Sequence, residues 1–160
     1  ASKNSGVTIT GALDDTAACF LGGLVVTNNS SNELLSRVIV DDDYSILIHV
    51  PDHKSYTKDV NYSGSDEFIH SLDTLISMTL EGNYLSAMSL NGMIYSRILK
   101  QSNESAILAL KNNALAAGLS GTGPSVGVIC LSENKSSILD SWKNLDGDII
   151  TAKINNEKGL

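Results

Sequence analysis

Two stretches of this chain hold residue types that could do chemistry at a spacing that would let them. The first runs from Gly6 through Thr10 to Leu13-Asp14-Asp15-Thr16 and ends at Gly22-Gly23, so two carboxylates fall in the opening turn of a run of helix formers. The positive end of a helix backbone lowers the pKa of a carboxylate there, and both acids are expected to be ionised and weakly basic. Weak basicity suits phosphoryl transfer to a hydroxyl, whose loose transition state needs orientation and a late proton acceptor more than a strong base. The same pair also fits a plainer account, because acids favour the first turn of any helix.

The second stretch is Gly118-Leu119-Ser120-Gly121-Thr122-Gly123-Pro124-Ser125. Glycine admits positive φ and close approach, so the backbone N–H groups here could converge on an anion. The spacing resembles a Walker A loop, but Pro124 stands where that motif needs lysine, and the segment reads as helix, loop, strand rather than strand, loop, helix. The dinucleotide pattern fails too, since Val126 takes the third glycine position. A tight turn with no ligand remains the alternative.

Weaker candidates stand apart from these two stretches. Arg37 lies on a β-rich run and could hold an anionic substrate through a paired hydrogen bond. Asn91 falls on an apolar helical stripe with Tyr84, Met88, Tyr95 and Ile98, where a buried amide would need a partner. His49, His53 and His70 show no metal-ligand spacing, and Asp41-Asp42-Asp43 lacks the alternation and distal Glu of a calcium loop. No metal site is expected in this chain.

The elements that must position these residues read as follows. A short strand at 7–10 leads into a helix over 12–21, then β-rich runs at 23–27, 34–40 and 45–50 are joined by polar turns and favour an antiparallel meander. From residue 65 the period lengthens to that of an amphipathic helix capped by Ser65, followed by helices at 84–99 and at 104–116, the last capped by Asn103. A strand at 126–131, a helix at 134–143, a strand near 148–154 and a frayed tail complete the chain. The order predicts an α+β fold, an antiparallel sheet with helices packed on one face, with a domain boundary in 28–44.

Composition narrows the function classes. The 160 residues are 42% hydrophobic and 18% charged, enough to bury a core and unlike a disordered chain. Eighteen acids against eleven basic residues give a net charge of −7 with scattered cations, so no surface for nucleic acid is expected. The longest apolar run is too short to span a membrane, and the first ten residues lack a secretory pattern. Cys19 and Cys130 sit in apolar surroundings without CxxC spacing and read as buried thiols of a reducing cytosol.

Together, TGALDDTAACFLGG, AAGLSGTGPS and the intervening Ala87-Met88-Ser89-Leu90-Asn91-Gly92-Met93-Ile94-Tyr95 resemble the GHMP family of small-molecule kinases, above all its archaeal-type shikimate kinase branch. The resemblance implies ATP-dependent phosphorylation of an alcohol, the 3-hydroxyl of shikimate, by a cytoplasmic enzyme using ATP and Mg²⁺. Homoserine or mevalonate-type kinases and a non-catalytic ligand-binding module are the alternatives. It implies Asp15 as the catalytic proton acceptor, with Asp14, Thr10, Arg37 and Asn91 on the substrate side. Lys3 is a further cation for an anionic acceptor, and Ser120, Gly121, Thr122 and Gly123 form the phosphate side. It assigns 1–40 to the end of an N-terminal, ribosomal S5-like kinase domain and 41–160 to a ferredoxin-like C-terminal domain. The family's nucleotide loop and its magnesium-associated residues have no counterpart here. The chain therefore resembles a C-terminal portion whose partner is the missing N-terminal half, inactive alone.

Overall fold

In the computed structural model of this protein, residues 13–29, 31–53 and 69–159 are described. The expected strand at 7–10, Thr10, Lys3 and the Ser65 cap lie outside them. Contacts divide the chain into two compact units, one of residues 1–42 with 154–160, the other of residues 43–153. The family resemblance cuts the chain once, near 40. The second crossing, at 153/154, returns the last residues to the first unit.

In the first unit, helix α1 (Leu13–Leu21) is followed by strands β1 (Leu24–Asn28) and β2 (Glu33–Val38), an antiparallel hairpin whose register shifts at Val26/Thr27. The helix ends because Gly22 and Gly23 both take positive φ, 64° and 73°, where a side chain would be strained. A Cβ on Gly22 would also lie 2.8 Å from the Asn155 carbonyl oxygen. The terminal segment is docked rather than frayed. Gly23 N–H donates to Asn155 O at 2.7 Å and Gly159 N–H to Phe20 O at 2.7 Å.

The second unit carries strand β3 (Tyr44–Val50), helices α2 (Ile69–Leu80), α3 (Tyr84–Leu99) and α4 (Glu104–Lys111), and strands β4 (Ala116–Leu119) and β5 (Val126–Leu131). A 3₁₀ turn (Ser132–Asn134), helix α5 (Lys135–Ser141) and strand β6 (Asp148–Lys153) complete it. The sheet order is β4-β5-β3-β6, antiparallel throughout, which is the ferredoxin-like arrangement of a split βαβ unit. The three-strand meander is thereby corrected: β3 belongs to this sheet and not to the β1–β2 hairpin. Alternation decides it, because Leu47 and His49 are buried beside Val128 and Val126 on one face of the sheet.

That face carries the core. Leu47, Val126, Val128 and Cys130 pack with Ala106 and Ala109 of α4 and with Ile138 and Trp142 at α5. The Trp142 indole N–H donates to Ser105 O at 2.9 Å, so the largest buried side chain has its polar atom satisfied. Asn103 occupies the start of α4 without a side-chain cap bond; the Ser102 hydroxyl accepts the Glu104 N–H instead.

Helix α3 runs along the edge strand β4, and its small residues permit it. Ser89, Gly92 and Ser96 are buried at i, i+3 and i+7. The Ser89 hydroxyl accepts the buried Ala117 N–H at 3.1 Å, covering an edge that would otherwise be bare. A Cβ on Gly92 would overlap the Gly118 Cα and sit 2.7 Å from Leu119 N. The predicted helix over 104–116 is accordingly too long: it stops at Lys111, and Ala116-Ala117-Gly118-Leu119 is strand. Alanine favours helix, but α3 and β5 on either side of this small-residue segment override local propensity.

Candidate catalytic helix and glycine loop

The two acids of α1 are not equivalent. The Asp14 carboxylate accepts from Asn29 Nδ2 at 2.9 Å, and Asn29 Oδ1 in turn accepts from the Thr27 hydroxyl, so Asp14 ties the helix to the β1–β2 turn. The Asp15 carboxylate makes no hydrogen bond or ion pair with a described residue. It lines a shallow, open groove of about 530 Å³ together with Thr16, Cys19, Phe20 and Gly159. Its pKa is raised, first by partial desolvation and then by the neighbouring Asp14 charge. This corrects the expectation of a carboxylate made more acidic by the helix end; desolvation and like charge outweigh the dipole here. The result is a stronger base than an ordinary aspartate.

Arg37 sits at the opposite end of α1. Its Nε–H is shared between Leu21 O at 2.9 Å and Gly22 O at 3.1 Å, and its Nη2 donates to Asn156 O at 2.7 Å. Asp15 and Leu21 are six residues apart, about 9 Å along the helix. The guanidinium therefore caps the last helical carbonyls and is not brought to Asp15.

In the second unit the glycine-rich segment is the connection of the β4–β5 hairpin, a strand–loop–strand unit rather than the predicted helix–loop–strand. Ser120 N–H donates to Ser125 O at 2.8 Å and Gly123 N–H to Ser120 O at 2.9 Å, so two loop amides are spent internally. Gly121 has φ 58°, open space where a Cβ would stand, and an N–H without an acceptor among the described residues. Thr122 and Gly123 are half-buried, and the Gly123–Pro124 peptide is cis.

Asn91 is exposed, contrary to the stripe that would bury it. The buried line of α3 is its small residues, because close approach to β4 selects Gly and Ser over bulk. The exposed Cys19 likewise departs from the expected pair of buried thiols, whereas Cys130 is buried, and desolvation raises its pKa although Lys135 opposes this. The sequence reading missed Cys19, Phe20 and Gly159. Cys19 was accessible from its i+4 spacing to Asp15; nothing local points to Gly159, 144 positions away.

Among the described residues no group of three or more His, Cys, Asp or Glu side chains is placed to hold a metal ion, and no helix is long and apolar enough to cross a membrane.

Residues 71–146 match the family model described as GHMP kinases C terminal. The chain is 38% identical over 157 residues to a protein of Methanothermobacter thermautotrophicus named shikimate kinase, covering 98% of this chain and 54% of that protein. It is 34% identical over 152 residues to the shikimate kinase of Pyrococcus furiosus, at 95% and 54% coverage. Among solved structures, the L. major mevalonate kinase in complex with R-mevalonate superposes with a TM-score of 0.64 at 17% identity, over 95% of this chain and 54% of that one. The homoserine kinase of Cytophaga hutchinsonii gives 0.62 at 20% identity, over 88% and 51%. Residues 71–146 thus carry the C-terminal domain of the GHMP kinase family, and the chain as a whole is similar to its members. Within it, the relatives just described that share most sequence are archaeal proteins named shikimate kinase. The chain spans about half the length of the curated relatives it matches.

Proposed function

We propose that this chain is the C-terminal portion of an ATP-dependent shikimate kinase, acting with a complementary half that supplies the nucleotide loop and the Mg²⁺ ligands. In this reading 1–40 close an N-terminal kinase domain, 41–160 form the C-terminal domain, and the chain alone is inactive. The supporting observation is the contrast within the acidic pair: Asp14 is held by Asn29, while Asp15 lines a groove with its carboxylate unpartnered among the described residues.

The chemistry follows from that carboxylate. As the acceptor oxygen forms its bond to the γ-phosphorus and the bond from that phosphorus to the ADP oxygen breaks, the hydroxyl proton passes to Asp15. A raised pKa, from partial desolvation and then the Asp14 charge, improves Asp15 as the proton acceptor. Asp14 keeps α1 in place and adds local negative charge. The Gly121 N–H suits a phosphate oxygen, with Ser120, Thr122 and Gly123 shaping the bend. Thr10 and Asn91 stay as substrate-side proposals; Arg37, engaged with three carbonyls, serves as a clamp.

The test is reconstitution of this chain with the nucleotide-loop half, followed by ADP release against shikimate, homoserine and mevalonate. Shikimate-dependent release is expected, and Asp15→Asn should lower kcat at least about tenfold. Release independent of any alcohol, preference for homoserine or mevalonate, or undiminished turnover in the Asn variant refutes the corresponding part.

A further inference from the structure

The first unit is closed by a segment from the far end of the chain, and its bonds converge on α1. Gly23 N–H donates to Asn155 O at 2.7 Å, and Arg37 joins Asn156 O to the final carbonyls of α1. The Asn156 side chain is the hub. Its Nδ2 donates to Val40 O at 2.8 Å and to Asp42 Oδ1 at 2.9 Å, and its Oδ1 accepts Val40 N–H at 3.2 Å. Beyond it, Gly159 N–H donates to Phe20 O, and Gly159 lines the same groove as Asp15 and Cys19. The segment thus fixes the last turn of α1 and supplies a wall of the groove from backbone atoms.

From this arrangement we propose that Asn156 is a positioning residue for phosphoryl transfer: it anchors the 155–159 strap that completes the acceptor groove beside Asp15. The proposal rests on the shikimate kinase reading for its substrate but not for its geometry. Backbone hydrogen bonds are short-ranged, and a displacement near 1 Å at an acceptor site is enough to cost tenfold or more. Removing the Asn156 amide deletes three bonds at once, while the Arg37 bond to its carbonyl survives.

The assay uses the reconstituted enzyme. Asn156→Ala should raise KM for shikimate about tenfold, leave KM for ATP unchanged, and keep the wild-type circular dichroism. A second readout does not need turnover. Cys130 is buried and Cys19 is exposed, so labelling of this chain by a thiol reagent, read by the mass of its Cys19 peptide, reports Cys19. Shikimate should slow that reaction in the wild type, and Asn156→Ala should need correspondingly more shikimate for the same protection. Without shikimate, Cys19 should react at least about threefold faster in the variant as the strap leaves the groove. If Asn156→Ala does not fold, Asp42→Ala carries the same comparison, since it removes one of the three bonds of the Asn156 amide and leaves the two to Val40; smaller shifts in the same directions are expected. Unchanged shikimate KM together with an unchanged Cys19 rate overturns the proposal. A wild-type enzyme that neither turns over nor is protected by shikimate refutes the substrate reading instead, and the ligand-free Cys19 rate still decides the strap.

Discussion

Adding one methyl group at Gly92 tests the packing that places the glycine loop's hairpin. The new Cβ would overlap the Gly118 Cα, with Leu119 N at 2.7 Å and Gly118 C at 3.0 Å, and all three are backbone atoms that cannot rotate away. Ordinary contact requires α3 and β4 to separate by nearly 1 Å, which forfeits a quarter to a half of each dispersion contact across the seam. Overpacking of this kind costs about 3 kcal/mol. Alanine regains about 1 kcal/mol over glycine in a helix, leaving a net loss of roughly 2 kcal/mol. For a chain of this size that lowers Tm by roughly 4–8 °C. Two controls fix the cause. Gly118→Ala places its Cβ 3.0 Å from Met88 O and 3.1 Å from the Gly92 Cα, a displacement of tenths of an ångström, and should cost roughly 1 kcal/mol. Gly127→Ala meets nothing within 4 Å and should be neutral or slightly stabilising. Urea unfolding followed by fluorescence suits all three, because the single tryptophan, Trp142, is buried in the core of the same unit. Equal midpoints for Gly92→Ala and Gly127→Ala would refute the close-approach argument.

Two further outcomes follow from particular bonds and charges. Ser89→Ala leaves the fully buried Ala117 N–H without an acceptor and should cost about 1–3 kcal/mol, whereas Ser96→Ala, whose hydroxyl bonds only to Gly92 O of its own helix, should cost about 0.5 kcal/mol or less; matched urea midpoints measure the gap. The raised pKa of Asp15 moves the rising limb of the kcat/KM profile of the reconstituted enzyme to higher pH than an ordinary aspartate would give, and Asp14→Asn, which removes the second cause, should move that limb to lower pH. The sign for stability is the reverse of a salt-bridged acid: protonated Asp15 favours the fold below its unfolded pKa, and this is lost as pH rises through the higher folded value. Asp15→Asn should therefore equal or exceed wild-type stability at neutral pH, by under about 1 kcal/mol because the site is solvated, and a large loss of stability would contradict the cause assigned.

Local pattern determined much of this protein. The acidic first turn of α1, its Gly22-Gly23 stop and the apolar run of β5 are readable because caps, positive φ and burial act over a few residues. The three motif segments were enough to carry the family resemblance. Tertiary structure decided what depends on distant partners. β3 left the meander because its pairing to β5 and β6 buries Leu47, and Ala116–Leu119 became strand because α3 approaches closely enough to press on it. Asn91 faced outward because a helix lying on a glycine strand buries its smallest side chains. The difference between Asp14 and Asp15 came from Asn29, fifteen residues on, and the groove wall from Gly159. A docked tail held by backbone carbonyls leaves no mark on composition or periodicity, so residues 155–159 read as fraying until the chain was folded.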